Sequence, residues 1–270
     1  MLLKKIYVKT EKTTNFISFN KRDSLTPFIF IHGFTGAHSC WDKVISLLKR
    51  STLSIDLPGH GKSVFNNLKA KYTVDDWCKD FNNILKNFNI KNIDLCGYSM
   101  GGRLAIAFAS KYPEKINKLF LESVSYGIQE KKDRNHRFKE DLKLTAIIEN
   151  NYQEFIRIWE NNPLFANQKG INSDGFFKQR KVRLSHNPEQ LSKSLRSFSQ
   201  GKMNFYRNQI SEFKFPVSII TGQEDSKFTK IGKDMLSLNK NLFNHIVIKK
   251  TGHNIHLESL EKFINALEVK

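Results

Sequence analysis

Short apolar runs alternate with amphipathic stretches over the first half of the chain. Phe28–Ile31, Thr52–Asp56, Asn92–Cys96 and Lys118–Glu122 read as strands. Each is nearly continuous in apolar residues, as strands buried on both faces must be. Between them the spacing predicts helices over Ser39–Lys49, Thr73–Phe88 and Met100–Lys111. Thr73 with Asp76 three residues on is a helix-start signal, and Pro113 stops the third helix. Alternation of this kind implies right-handed crossovers and a mainly parallel sheet.

The pattern changes after about residue 123. From there to about 210 helical periodicity prevails, in "NYQEFIRIWENN", "FFKQRKVRLSHN" and "PEQLSKSLRSFS". Strand character returns at Pro216–Gly222 and His245–His253, and a packed terminal helix is expected near Glu258–Glu268. The expected architecture is therefore an α/β core of residues 1–122 and 211–270, interrupted by a helical cap over 123–210. No internal repeat or low-complexity linker breaks it.

Composition narrows the functional classes. A chain of 270 residues can bury a sizeable core. No stretch approaches the roughly 18 apolar residues of a membrane span, so no membrane insertion is expected. The opening "MLLKKIYVKTEKTTNF" has no sustained apolar region and no small-residue cleavage site, and reads as a mature cytoplasmic N-terminus. The cysteines Cys40, Cys78 and Cys96 are odd in number and lack metal-ligand spacing, so buried reduced thiols are expected. The net charge of +18 raises the question of nucleic acid. The cations are scattered without a basic block or recognition motif, which argues against nucleic acid and for a solvated surface. A basic field also attracts a small polyanion.

The chemistry concentrates in a few loops. Gly97-Tyr98-Ser99-Met100-Gly101 lies between a predicted strand and a predicted helix, the setting a G-x-S-x-G nucleophile turn requires. Glycines permit a tight turn that lifts the serine hydroxyl above the sheet, over a helix N-terminus with free N–H groups. "FIHGFTG" follows the first core strand, where the N–H of Phe34, with that of Met100, would form an oxyanion hole. "TGQEDSKF" places Asp225 after a strand, and "TGHN" places His253 after the last one. The order Ser99, Asp225, His253 fits a triad in which the histidine is the base and the aspartate fixes its tautomer. Glu224 competes with Asp225 as the orienting carboxylate, and His256 with His253 as the base. His60, in the turn "DLPGHGKS", reads as structural.

These loops together resemble the α/β-hydrolase superfamily over nearly the whole chain. Within it, "GYSMGGR", "DSKF", "DRNHRFKED", "IWENNPLF" and "KVRLSHNPEQLSKSLRSFSQGKM" are similar in order and spacing to the family that makes 2-succinyl-6-hydroxy-2,4-cyclohexadiene-1-carboxylate (SHCHC) in menaquinone biosynthesis. After "LES" that family commonly has a Ser-Pro-Gly-type turn, whereas this chain has Ser125-Tyr126-Gly127.

The resemblance implies a mostly parallel sheet with helices on both faces, a helical cap and a lyase reaction. A proton would be removed from 2-succinyl-5-enolpyruvyl-6-hydroxy-3-cyclohexene-1-carboxylate and pyruvate eliminated, with no metal or organic cofactor. The substrate carries three carboxylates, which guanidinium forks suit. By resemblance Arg103 binds one of them, Arg134 or Arg137 and also Arg183 contribute from the cap, Tyr98 offers a hydroxyl, and Trp159 walls the pocket. A monomer is expected. The alternative is an esterase or a C–C bond hydrolase using the same triad.

Overall fold

The computed structural model describes residues 4–22, 26–165 and 168–268. The outermost positions of the expected core, 1–3 and 269–270, lie outside them.

The strands are β1 (Lys4–Lys9), β2 (Thr13–Asn20), β3 (Phe28–Ile31), β4 (Thr52–Ile55), β5 (Val64–Phe65), β6 (Ile93–Tyr98), β7 (Ile116–Glu122), β8 (Val217–Gly222) and β9 (Phe243–Ile248). They form one sheet in the order β1-β2-β4-β3-β6-β7-β8-β9, with β5 paired to β2. From β4 to β9 every pairing is parallel, while β1, β2 and β5 add antiparallel pairs at one side.

The helices are α1 (Asp42–Leu47), α2 (Val74–Asn87), α3 (Met100–Lys111), α4 (Lys131–Asn150), α5 (Tyr152–Glu160), α6 (Gln168–Ile171), α7 (Ser173–Leu184), α8 (Pro188–Ser197), α9 (Arg207–Ser211), α10 (Ser226–Leu238), α11 (Ile255–Glu258) and α12 (Leu260–Glu268). α2 begins on Thr73, whose hydroxyl accepts from the Asp76 N–H while the Asp76 carboxylate returns a bond to the Thr73 N–H.

Strand period two sorts the apolar residues onto two faces. Ile29, Ile31, Leu95, Leu119 and Leu121 share one core with Trp77 and Phe81 of α2 and with Leu104 and Phe108 of α3. Phe28, Phe30, Cys96 and Phe120 share the other with Val44 and Ile45 of α1 and with Phe263 of α12. Because helices cover both faces, the strands read as unbroken apolar runs. Between β7 and β8 the chain leaves the sheet and builds α4 to α9, with a small core of Ile148, Phe155, Ile156, Leu191 and Leu195.

Several local expectations are corrected. The N-terminal segment, which the pattern does not assign to an element, forms the β1–β2 hairpin; β1 is mostly exposed, so it lacks the apolar run that marks a buried strand. The helix expected over Ser39–Lys49 is a 3-10 turn at His38–Trp41 followed by the shorter α1. The last strand ends at Ile248, and the following residues turn. The terminal helix is divided at Ser259 into α11 and α12. Cys78 and Cys96 are buried, but Cys40 is only half-buried.

Candidate active site

β6 ends and α3 begins at Ser99, whose φ of 51° and ψ of −108° place it outside the regions that L-residues favour. Such backbone costs on the order of 1–3 kcal/mol and persists where its surroundings enforce it. Its neighbours show how. A Cβ on Gly97 would lie 2.6 Å from the Gly101 carbonyl oxygen, and one on Gly101 would lie 2.4 Å from the carbonyl oxygens of Ile31 and His32. Bare glycines therefore let α3 close onto the end of β3. Met100, at the first position of α3, has an N–H with no partner four residues back, and the next residue, Gly101, packs on the His32 carbonyl, two residues before Phe34.

The triad residues meet above this turn. His253 Nδ1 lies 2.6 Å from Asp225 Oδ2, and its Nε2 lies 3.2 Å from Ser99 Oγ. The carboxylate accepts the Nδ1 proton, which leaves Nε2 free to accept the serine proton. Asp225 also caps α10, its Oδ1 accepting from the Phe228 N–H at 3.3 Å. His253 and Asp225 are buried, whereas Ser99 is half-buried and open to a reactant. Phe228 and Phe165 pack on the imidazole, with ring centroids 4.6 and 6.1 Å away.

Both competitors lie elsewhere. Glu224 donates its N–H to the Thr251 carbonyl, and the bond to His253 comes from Asp225. His256 Nδ1 lies 2.8 Å from Glu122 Oε2, and the residue lines a separate cavity of about 360 Å³ with Ser39, Asn172 and Gln179. Neither Glu122 nor Glu258 is marked by the sequence pattern, although both hold the histidine turn. Each stands at the last position of its element, where strand or helix periodicity does not distinguish a carboxylate that bonds backbone N–H groups from one that faces solvent.

The oxyanion loop is fixed from below by histidine. His32 donates from Nδ1 to the Gly33 carbonyl at 2.7 Å and accepts the Leu57 N–H on Nε2 at 2.9 Å. Burial pushes its pKa down to about 4, so the ring is neutral. From the α7–α8 turn, His186 accepts the Gly61 N–H at 3.0 Å and donates to the Thr35 carbonyl at 3.0 Å, tying cap to core. His60 is buried between these two rings, and burial holds its pKa well down. That is a structural placement.

The arginines differ sharply in their partners. Arg103 Nε lies 3.4 Å from Met203 Sδ and Nη2 lies 3.4 Å from the Phe198 carbonyl. No carboxylate pairs with it among the described residues. Loss of solvent around it, reinforced by Arg137 and opposed by Asp141, lowers its pKa to about 10, which leaves it charged at neutral pH. Arg137 bonds Asp141 at 2.9 Å and Gln200 at 3.4 Å; its electrostatic coupling to Arg103 places it in the same neighbourhood. Arg134 turns to the backbone carbonyls of Ile128 and Gln129, before α4. Arg183 is fully buried, lies 3.2 Å from Glu160 and 2.7 Å from Gln179, and sits over the Phe165 and Phe176 rings.

Tyr98 is buried beside His253 and His256, and burial, with Glu122 next, raises its pKa so that the hydroxyl stays protonated. Trp159 packs edge-on against Phe34 at 5.2 Å and joins the small cap core. Among the described residues no group of acidic, histidine and cysteine side chains has the arrangement of a metal site, and no helix is long and apolar enough to cross a membrane.

Comparison with known proteins adds a second line. The family model of the alpha/beta hydrolase fold matches residues 26–260. A Bacillus subtilis protein, provisionally named a 2-succinyl-6-hydroxy-2,4-cyclohexadiene-1-carboxylate synthase, is 32% identical over 87% of this chain and 86% of its own length. The synthase of that name from Citrobacter koseri is 27% identical over 88% of this chain and 91% of its own. The solved structure of MenH from S. aureus superposes with a TM-score of 0.88 at 30% identity, covering 93% of this chain and 96% of that one.

Proposed function

The chain belongs to the α/β-hydrolase fold family and, within it, to the SHCHC synthases, and from that premise we propose that Ser99, His253 and Asp225 catalyse proton removal and pyruvate elimination. Its place is in menaquinone or phylloquinone biosynthesis. The substrate is 2-succinyl-5-enolpyruvyl-6-hydroxy-3-cyclohexene-1-carboxylate, a small tricarboxylate.

Ser99 gives its proton to His253 Nε2, and the serine oxygen takes the proton from the ring carbon that bears the succinyl group. The electron pair of that C–H bond forms the C2–C3 double bond. The existing C3–C4 double bond moves to C4–C5, and the C5–O bond breaks. The enolpyruvyl group leaves as the enolate of pyruvate, which takes a proton to become pyruvate. Negative charge that builds on the succinyl ketone oxygen is received by the N–H groups of Phe34 and Met100. The ring product is the 2,4-cyclohexadiene.

One observation carries this reading over simple hydrolysis. Arg103 is a half-buried guanidinium, one turn along the helix that Ser99 opens, and among the described residues no carboxylate forms an ion pair with it, although Asp141 lies near enough to favour its charge. A half-buried cation without an ion-pair partner is suited to an anionic ligand. Arg137 would receive a second carboxylate, and Arg183, already facing Glu160, would meet the third beside Tyr98. Trp159 and Phe34 would wall the pocket, with Arg134 serving the loop before α4.

The test is direct. Purified protein given the enolpyruvyl substrate is expected to release pyruvate stoichiometrically with the diene chromophore. Rapid cleavage of p-nitrophenyl esters without pyruvate release would favour an esterase instead.

A further inference from the structure

Two carboxylates hold N–H groups of the turn that carries His253. The Gly252 N–H donates to Glu258 Oε2 at 2.5 Å, and the Asn254 N–H donates to Oε1 of the same carboxylate at 3.2 Å. The N–H groups of the two residues that flank His253 therefore share one carboxylate. Two residues further on, the N–H of His256 donates to Glu122 Oε1 at 2.9 Å, while the His256 ring closes on Oε2.

Glu122 is completely buried at the end of β7, and its backbone carbonyl accepts the Ser99 N–H at 2.9 Å. One residue thus touches the serine turn through its main chain and the histidine turn through its side chain. The distance between Ser99 and His253 is set across that joint.

We propose that Glu258 and Glu122 are positioning residues for His253, and that the Glu258 carboxylate also stabilises the imidazolium formed when Ser99 is deprotonated. The inference rests on the proposed function for its substrate, but its geometry concerns any reaction of the triad. Glu258 is half-buried, and burial raises its pKa while the N–H groups of Gly252 and Asn254 and the nearby His253 oppose that rise. Among the described residues, the ionisable groups facing the imidazole are Asp225 before α10, Ser99 and Tyr98 at the end of β6, and Glu258 on α11. Phe228 from α10 and Phe165 from the cap close its other sides.

The experiment compares wild type, Glu258→Gln and Glu258→Asp. Glutamine keeps the volume but turns an amide N–H₂ towards one of the two donors and removes the charge. Its kcat is expected to fall by about 10- to 100-fold, because displacement of a reacting group by about an ångström costs that much. KM should stay within about twofold, since the arginines are untouched. Loss of the charge should move the acidic limb of the kcat/KM profile down by about half a pH unit or more. Aspartate keeps the charge and shortens the reach, so its acidic limb should remain near that of wild type while kcat falls.

A second readout separates this inference from the choice of substrate. Sulfonylation of Ser99 by phenylmethylsulfonyl fluoride depends on His253 but on none of the arginines, and it should slow in parallel in both variants. Folded Glu258→Gln protein with wild-type kcat, acidic limb and sulfonylation rate would overturn the proposal. If Glu258→Gln fails to fold, Glu258→Asp with unchanged kcat and sulfonylation rate overturns it. Wild-type protein that releases no pyruvate but is sulfonylated normally would defeat the proposed function and leave the Glu258 comparison standing.

Discussion

The guanidinium of Arg103 points at the sulfur of Met203, 3.4 Å away, where a carboxylate would be the ordinary partner of a half-buried cation. The arrangement leaves the cation without an ion-pair partner among the described residues and available to an anion. Replacement of Arg103 by Ala is expected to lower kcat/KM by roughly 10- to 150-fold, the worth of a charge-assisted contact of about 1.5–3 kcal/mol. The same change should leave the melting temperature level or raise it. Steady-state kinetics beside a thermal melt checks both. A destabilised variant with intact activity would contradict the assignment.

Ser99→Ala and His253→Ala should each reduce pyruvate release by about 10² to 10⁴-fold, the usual reach of a positioned base. The double variant should lose little more than either single one, since the two groups act as a unit. Asp225→Asn should also be impaired, because an amide supports the wrong imidazole tautomer. Initial-rate measurements on the four variants decide this. Independent, multiplying losses would break the proposed relay.

The two arginines of α4 should separate cleanly. Arg137→Ala, near Arg103, is expected to raise KM by about tenfold, in line with loss of a hydrogen bond to a charged group. Arg134→Ala removes the bonds to the Ile128 and Gln129 carbonyls and should lower the melting temperature with little effect on KM. Exchange of these two phenotypes would reverse the assignment.

Acid should unfold the protein through its buried histidines. His32, with its pKa pushed down to about 4, is neutral in the fold, and burial also lowers the pKa values of His60 and His186. The unfolded chain takes up protons first, near pH 6.5, so stability is full above that value and is lost as pH falls towards 4. For His32 alone the loss amounts to about 3 kcal/mol. Denaturant titrations at pH 7.5, 6 and 5 should show a progressive decline, shallower in His186→Gln. A flat profile across that range would contradict the neutral-ring arrangement.

Much of this was legible from side-chain pattern. Phe28–Ile31 reads as a buried strand because helices cover it on both faces, and the Gly97–Gly101 pentapeptide announces its turn because only glycine clears the carbonyls of Ile31 and His32. Other features left no trace. β1 lies exposed at the sheet edge, so it needs no apolar run, and β2 mixes threonine and asparagine with its apolar positions. The strand expected to reach His253 stops at Ile248, because "KKTGH" turns the chain towards the site. Glu122 and Glu258 act through backbone N–H groups that only the folded turn brings to them. A single carboxylate in sequence says nothing of such a meeting. The choice between Arg134 and Arg137, three residues apart on one helix, likewise depends on the helix's rotation against its neighbours.

β7 and β8 lie side by side in parallel register, from Leu119 opposite Val217 to Glu122 opposite Ile220, although the whole cap is threaded between them. For the sheet, the cap is only a long excursion that returns to where it started. Loop-closure entropy rises slowly, by about 0.6 kcal/mol for each doubling of length, so an excursion roughly eight times that of an ordinary crossover costs only about 2 kcal/mol more. The pieces that recognise a substrate can thus be exchanged, lengthened or trimmed over evolutionary time while the strand order stays as it is. A lineage that needed to act on a different anion could rewrite α4 to α9, and with them the partners of Arg103, while keeping its serine, its histidine and the glutamates behind them.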